Sequence, residues 1–203
     1  IALALNKNTK IHSFMQSVAF APHIISLVSI SMLWLWLMDY DYGLFNYLLG
    51  KIGVGPVRFL TNPDIVMYSL AAVSIWKGVG YYSLIFLSGL QAIPDDIYEA
   101  AALDNTPWHR KLFKITLPML SPTVFFIGIT SIIASFKVFE TISIMTQGGP
   151  MNASNTLVYY IYETGFKFFN MGLSSAAGVI LFVVIAILTF IYFKLMSKKV
   201  YYN

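Results

Sequence analysis

Tyr98-Glu99-Ala100-Ala101-Ala102-Leu103-Asp104-Asn105, followed by Ile115-Thr116-Leu117-Pro118, sets a charged, helix-favouring patch between two apolar stretches, each long enough to cross a bilayer. Pro94 suits a first helical turn, and Asp95, Asp96 and Glu99 put negative charge near the positive end of the helix dipole. Ala100, Ala101, Ala102 and Leu103 propagate the helix. Asn105 tolerates the left-handed conformation that ends one, and Thr106-Pro107 reads as an N-cap followed by proline in the first position of the next. The expected shape is helix, sharp turn, helix. The second arm is apolar on one side through Trp108, Leu112 and Phe113, and basic on the other through His109, Arg110, Lys111 and Lys114.

Around this patch the chain is oily. Hydrophobic residues make up 58% of the 203 residues and charged residues 11%, against roughly a quarter charged in a typical soluble domain. The reading is an all-α, polytopic transmembrane helical bundle. Spans are expected near Val18–Met38, Val66–Leu90, Ile115–Phe136 and Gly172–Met196, each about the 20 residues a crossing needs. Ile1–Leu5 reads as the tail of a further span. A chain that opens inside an apolar run, without initiator Met or basic leader, reads as N-terminally truncated.

Lysine and arginine set the expected orientation. Lys7, Lys10, Arg110, Lys111, Lys114, Lys198 and Lys199 fall on one set of alternate loops, with Lys194 near the end of the last span. The opposite set holds Lys51, Arg58, Lys137 and Lys167. By the positive-inside rule the segments Asn6–Lys10, Pro94–Lys114 and the C-terminus face the cytoplasm, while Asp39–Asp64 and Lys137–Met171 face outward. Asp41-Tyr42-Gly43, Thr61-Asn62-Pro63-Asp64 and Gln147-Gly148-Gly149-Pro150 are turn chemistry. Tyr159, Tyr160, Tyr162, Phe166, Phe168 and Phe169 read as an interfacial aromatic belt, with contact to an external protein as the competing reading. The net charge of +4 belongs to cytoplasmic loops, not to nucleic-acid binding.

Polar residues inside spans mark a candidate solute path. Ser74, Lys77, Gly78 and Tyr81 recur at i, i+3, i+4 and i+7, on one face of a helix. Lys77 is deep enough that its charge costs at least about 3 kcal/mol on insertion scales, so a water-filled cavity or a carboxylate partner is expected. Trp76 offers a flat apolar surface of the kind sugar rings stack on, and Gly78 opens room. Ser131 and Ser135 share a face in the third span. Helix packing competes for all of these positions, since small residues allow close approach and hydroxyls bond to carbonyls.

Catalytic patterns are sparse. His12, His23 and His109 lie in three separate elements, there is no cysteine, and no G-x-x-x-x-G-K-[ST] phosphate loop occurs. Asp95 and Asp96 are adjacent on a helix and point apart. No cofactor or metal is expected on this chain, and no enzymatic activity of its own.

From physics alone the loop is either an interfacial hairpin meeting anionic headgroups or a docking element. Glu99-Ala100-Ala101, three residues, Asn105, nine residues and Ile115-x-Leu117-Pro118 resemble the EAA loop of ABC importer permeases, EAA-x3-G-x9-I-x-LP. The one departure is Asn105 in place of glycine, and asparagine is the next-best residue for positive φ. Pro22, Trp34, Tyr42-Gly43-Leu44-Phe45-Asn46, Ile75-Trp76-Lys77-Gly78, Gly89-Leu90-Gln91-x-Ile93-Pro94, Thr146-Gln147-Gly148-Gly149-Pro150 and Tyr201 are similar to sugar-type permeases of the maltose and lactose kind, a group that also includes glycerol-3-phosphate permeases. The resemblance covers nearly the whole chain. Its six-helix core implies that the first helix and most of the second are missing here.

That resemblance implies a carbohydrate permease subunit of an ATP-driven importer in a bacterial or archaeal cytoplasmic (inner) membrane. Implied partners are a second homologous permease, two cytoplasmic ATPase subunits that carry ATP and Mg, and an extracytoplasmic solute-binding protein. It implies that Glu99, Ala100, Ala101, Asp104 and Asn105 form a coupling helix seated in an ATPase cleft. An anionic solute such as glycerol 3-phosphate is the alternative, for which Lys77 would suit. A gradient-driven secondary transporter is disfavoured because the acidic residues all sit in or near loops, and a static membrane scaffold is the remaining alternative.

Overall fold

The computed structural model describes residues 1–6 and 9–197, and all regular structure among them is helical. Lys7, Lys198, Lys199 and Tyr201 lie outside the described residues. In chain order the helices are α1 Ala2–Leu5, α2 Lys10–Ile24, α3 Leu27–Leu37, α4 Leu44–Lys51, α5 Val66–Gln91, α6 Asp95–Leu103, α7 Trp108–Lys111, α8 Leu117–Met119, α9 Ser121–Phe136, α10 Glu140–Met145, α11 Leu157–Tyr162 and α12 Met171–Met196. Two wide π turns, Leu112–Thr116 and Glu163–Lys167, join α7 to α8 and follow α11.

Among the described residues three stretches are long and apolar enough to cross a membrane: Val66–Gln91, Ser121–Met145 and Met171–Met196. A fourth crossing arises if α2 and α3 are counted as one broken span. The apolar run Val18–Met38 therefore does not form the continuous helix its hydropathy suggests. Pro22 lies inside α2, where it removes an N–H and crowds the carbonyl of the preceding turn. Ser26 then adopts φ −53° and ψ 134°, which ends one helix and starts the next.

The helix expected to begin at Ile115 is entered earlier. Leu120 N donates to Thr116 O and Val124 N to Leu120 O, so a nearly continuous helical path runs from Trp108 into α9. The π turn sits just ahead of Pro118, which has no N–H for a regular ladder and whose ring would crowd a tighter turn.

The chain divides into two compact units. Of the described residues, one unit contains 1–6, 9–23, 78–133 and 187–197. Its buried centre is Leu90, Ile93 and Leu120, packed on by Ala2, Ile97, Tyr98 and Met119. Gly80 lets α2 lie directly on α5, because a Cβ there would overlap the Ala19 carbonyl. The other unit contains residues 24–77 and 134–186. Ile30, Met38, Val66, Leu70, Val73, Ile142, Met145 and Tyr159 form its core, with Trp34, Phe45 and Phe59 against them.

Polar knots fix the loops of this second unit. Asn46 Nδ2 donates to the carbonyls of Asp39, Tyr40 and Val57 at 3.0–3.2 Å, and its Oδ1 accepts from Val57 N at 2.8 Å. Ser154 Oγ donates within the turn that contains Gln147-Gly148-Gly149-Pro150, to Thr146 Oγ1 at 2.7 Å and to Gly149 O. The aromatic stretch before α12 splits in two. Tyr159 is 1% exposed and belongs to the core, whereas Phe166, Phe168 and Phe169 are exposed. Lys167 Nζ donates to Tyr159 Oη at 2.8 Å, and that bond, with Glu163 at 3.5 Å, holds the ammonium above the ordinary lysine range.

Candidate functional site

The elbow is built from Asp95 to Thr116. Pro94 is the N-cap of α6, with φ −57° and ψ 137°, and Pro107 is the N-cap of α7. Each proline thus stands one position earlier than its expected place inside the first turn, and Pro107, not Thr106, caps the second arm. The Pro107 carbonyl accepts from Arg110 N at 2.9 Å and Lys111 N at 3.0 Å. A proline N-cap leaves no N–H unsatisfied, because it has none.

The end of α6 follows from Asn105. Asp104 is the C-cap, Asn105 takes φ 50°, Asn105 N donates to Ala102 O and Thr106 N donates to Ala101 O, both at 3.0 Å. These are the paired bonds of a Schellman ending, which satisfy carbonyls that would otherwise be orphaned.

What the elbow presents is mixed. Glu99, Ala100, Asp104 and Asn105 are exposed, while Ala101 is 6% exposed and faces inward. At the tip Leu103 is 85% exposed and Trp108 76% exposed. Two large apolar side chains are thus left uncovered beside a carboxylate edge. The arms are braced from behind: Tyr98 Oη lies 3.2 Å from Thr116 Oγ1, and Lys111 Nζ lies 6.0 Å from the centre of the Tyr98 ring. Ile97 and Tyr98 pack on Leu90, Ile93 and Leu120. α6 is therefore packed against the end of α5 and the residue that precedes α9.

The polar residues of α5 are distributed over different contacts. Ser74 Oγ donates to Leu70 O at 3.1 Å within its own helix. Trp76 meets Trp34 edge to face at 5.4 Å. Lys77, half-buried, donates from Nζ to the Ile25 carbonyl at 2.6 Å. Gly78 gives little spare room, since a Cβ there would stand 3.2 Å from the Tyr82 ring. Tyr81 stacks on His23 at 4.4 Å with 9° between the rings. On α9, Ser131 is half-buried and Ser135 exposed.

Tyr81 also lines an open cavity of about 580 Å³ with Phe20, Leu84, Ile85, Ser88, Thr123 and Phe126. Aromatic walls with a few hydroxyls suit a small polar solute. Phe20, Ser88 and Thr123, which line this cavity, and His23, which stacks on Tyr81, do not stand out in the sequence. His23 follows Pro22 in an apolar run, a signal that separates it from a loop histidine but does not identify Tyr81 as its partner.

The sn-glycerol-3-phosphate transport system permease protein UgpA of Agrobacterium fabrum is 34% identical over 204 residues, covering 100% of this chain and 69% of the relative. The trehalose/maltose transport system permease protein MalF of Thermococcus litoralis is 32% identical over 196 residues, covering 95% of this chain and 65% of the relative. Among solved structures, a bacterial ABC transporter involved in the import of the acidic polysaccharide alginate superposes with a TM-score of 0.88 at 25% identity, covering 97% of this chain and 70% of that one. A second structure of a bacterial alginate ABC transporter, in complex with an alginate pentasaccharide-bound periplasmic protein, gives a TM-score of 0.85 at 26% identity over 94% of this chain and 67% of that one. Residues 1–202 match the family model for the binding-protein-dependent transport system inner membrane component. A helical chain with several bilayer-length spans, a braced and exposed elbow and this match from end to end belongs to the inner membrane permease components of binding-protein-dependent ABC transport systems.

Proposed function

We propose that this chain is the permease subunit of an ATP-driven importer that carries a carbohydrate into the cytoplasm. The observation that carries the reading is the elbow: a helix ended by Asn105 at φ 50°, tipped by exposed Leu103 and Trp108 and braced onto α5 and α9. Glu99 offers its carboxylate to a cationic side chain of a cytoplasmic ATPase, a charge-assisted bond that arginine makes in bidentate form. Ala100 leaves room for close approach, while Asp104 and Asn105 set the direction of the turn. Two ATPases, a second homologous permease and an extracytoplasmic solute-binding protein complete the assembly, with ATP and Mg held by the ATPases. The elbow and the C-terminus face the cytoplasm.

The proposed solute-path residues are Ser74, Trp76, Lys77, Gly78 and Tyr81 on α5, and Ser131 and Ser135 on α9. The cavity lined by Tyr81, Ser88 and Thr123 supports carbohydrate, because aromatic faces and hydroxyls recognise sugar rings without charge. The match to trehalose/maltose and alginate transport proteins supports the same class. Glycerol 3-phosphate is the second reading, favoured by the 34% identity to a permease named for it.

Reconstitution of the full chain with its partners tests both levels. ATP-driven uptake of maltose or trehalose supports the carbohydrate reading, and uptake of sn-glycerol 3-phosphate in their place supports the second. Uptake driven by an ion gradient without ATP contradicts the importer reading altogether.

A further inference from the structure

Between α3 and α5 the chain makes one short helix, α4, whose two faces differ. On one face Phe45 lies near Trp34 and Phe59, with ring centres 5.6 and 6.1 Å away, and Asn46 is tied by its four hydrogen bonds to Asp39, Tyr40 and Val57. On the other, Leu44, Tyr47, Leu48, Lys51 and Ile52 recur at i, i+3, i+4, i+7 and i+8, the spacing of a single helix face. All five are exposed, Tyr47 by 60% and Ile52 by 74%. Gly53 at φ 79° closes the helix, with Gly53 N donating to Gly50 O and Val54 N to Leu49 O. A helix held this firmly on one side presents a fixed apolar stripe on the other, and such a stripe calls for a cover.

Three features of the segment favour the bilayer over a protein as that cover. The stripe continues an apolar surface of α3, because Trp36 shares an open cavity with Leu44 and Tyr47, and Met32, Leu33 and Trp36 are exposed on a helix without a charged residue. Leucine and isoleucine beside a tyrosine and a lysine is the composition of a helix lying in the headgroup layer. Lys51 Nζ stands 4.8 Å from the centre of the Tyr47 ring, so the lysine stem covers apolar surface while its charge stays at the edge. Residues 44–58 carry two cations, Lys51 and Arg58, and no acid, and Asp41 is the one acidic residue lining the shared cavity. We propose that α4 is a membrane-interface helix: Leu44, Tyr47, Leu48 and Ile52 enter the boundary between headgroups and acyl chains, and Lys51 reaches the lipid phosphates. Phe45 and Asn46 keep that face turned to lipid, which ties the segment between α3 and α5 to the level of the membrane surface.

The test places a nitroxide on Leu48→Cys or Ile52→Cys of the full chain, assembled with its partner subunits in lipid nanodiscs and otherwise free of cysteine. Collisions with oxygen and with a water-soluble nickel chelate then report the depth of each label. Both labels should lie about 5–10 Å below the phosphate plane, with oxygen collisions exceeding nickel collisions, and adding the solute-binding protein should change neither. Nickel collisions in excess overturn the proposal in favour of a water-facing helix. Shielding from both reagents overturns it in favour of a protein cover: a partner subunit if the shielding is constant, the solute-binding protein if it appears on addition. Should one labelled chain fail to assemble, the other decides. Failure of both overturns the proposal, because a position that faces lipid accepts a nitroxide. Depth is read without uptake, so the result does not depend on which solute the chain carries.

Discussion

Glu99 and Asn105 act through different physics, and substitution separates them. Glu99 is exposed and stands past the first turn of α6, where a carboxylate contributes under about 1 kcal/mol to the helix itself. Glu99→Ala should therefore leave insertion and heat stability of the chain within about 1 kcal/mol while lowering ATP-driven uptake and ATPase capture at least tenfold, the order expected when a charge-assisted bond is lost. Retained uptake with retained capture would assign Glu99 to the helix alone. Asn105 works through its backbone. Asn105→Gly should preserve uptake, since glycine adopts φ near +50° freely, whereas the β-branched Asn105→Val should destabilise the elbow by about 1–2 kcal/mol, read by thermal unfolding and by loss of ATPase capture.

At the scale of elements, close packing and polar knots carry the fold. Gly80→Ala places a methyl group onto the Ala19 carbonyl, and the required shift of α2 should cost about 1–3 kcal/mol; unchanged thermal stability of the solubilised chain would contradict that contact. Asn46→Leu should cost a similar amount, because it leaves Val57 N–H and three carbonyls without their partner. The elbow was legible because its causes are local: helix formers, a residue that accepts positive φ and two prolines lie within one short stretch. Only the prolines were displaced, each by one position, since a proline can start a helix from either side of its boundary. The break at Ser26 was not legible. Hydropathy averaged over Val18–Met38 reports solvent, not backbone direction, and a single Pro22 inside a span is often absorbed. Tyr159 was grouped with the interfacial aromatics because composition gives its solvent preference but not the core of Ile142 and Met145 that it fills.

For the molecule as a whole, the residues around Tyr81 show where sequence pattern reaches its limit. The helical spacing of Ser74, Lys77, Gly78 and Tyr81 identified a face of α5, yet their partners come from segments distant in sequence: His23 on Tyr81, Ile25 on Lys77 and Trp34 on Trp76. No periodicity within α5 encodes those pairings. The proposed coupling uses local packing instead, from the exposed elbow through Tyr98, Ile93 and Leu120. These 203 residues contain no cysteine, so a thiol introduced among them is distinguishable from any other in this stretch. The most direct measurement introduces Leu103→Cys, carrying a short photo-crosslinker, into the full chain within its assembled transporter in native membranes. The account predicts a crosslink to the cytoplasmic ATPase subunit; a crosslink only to lipid, or labelling of that thiol from the extracytoplasmic side, would contradict it.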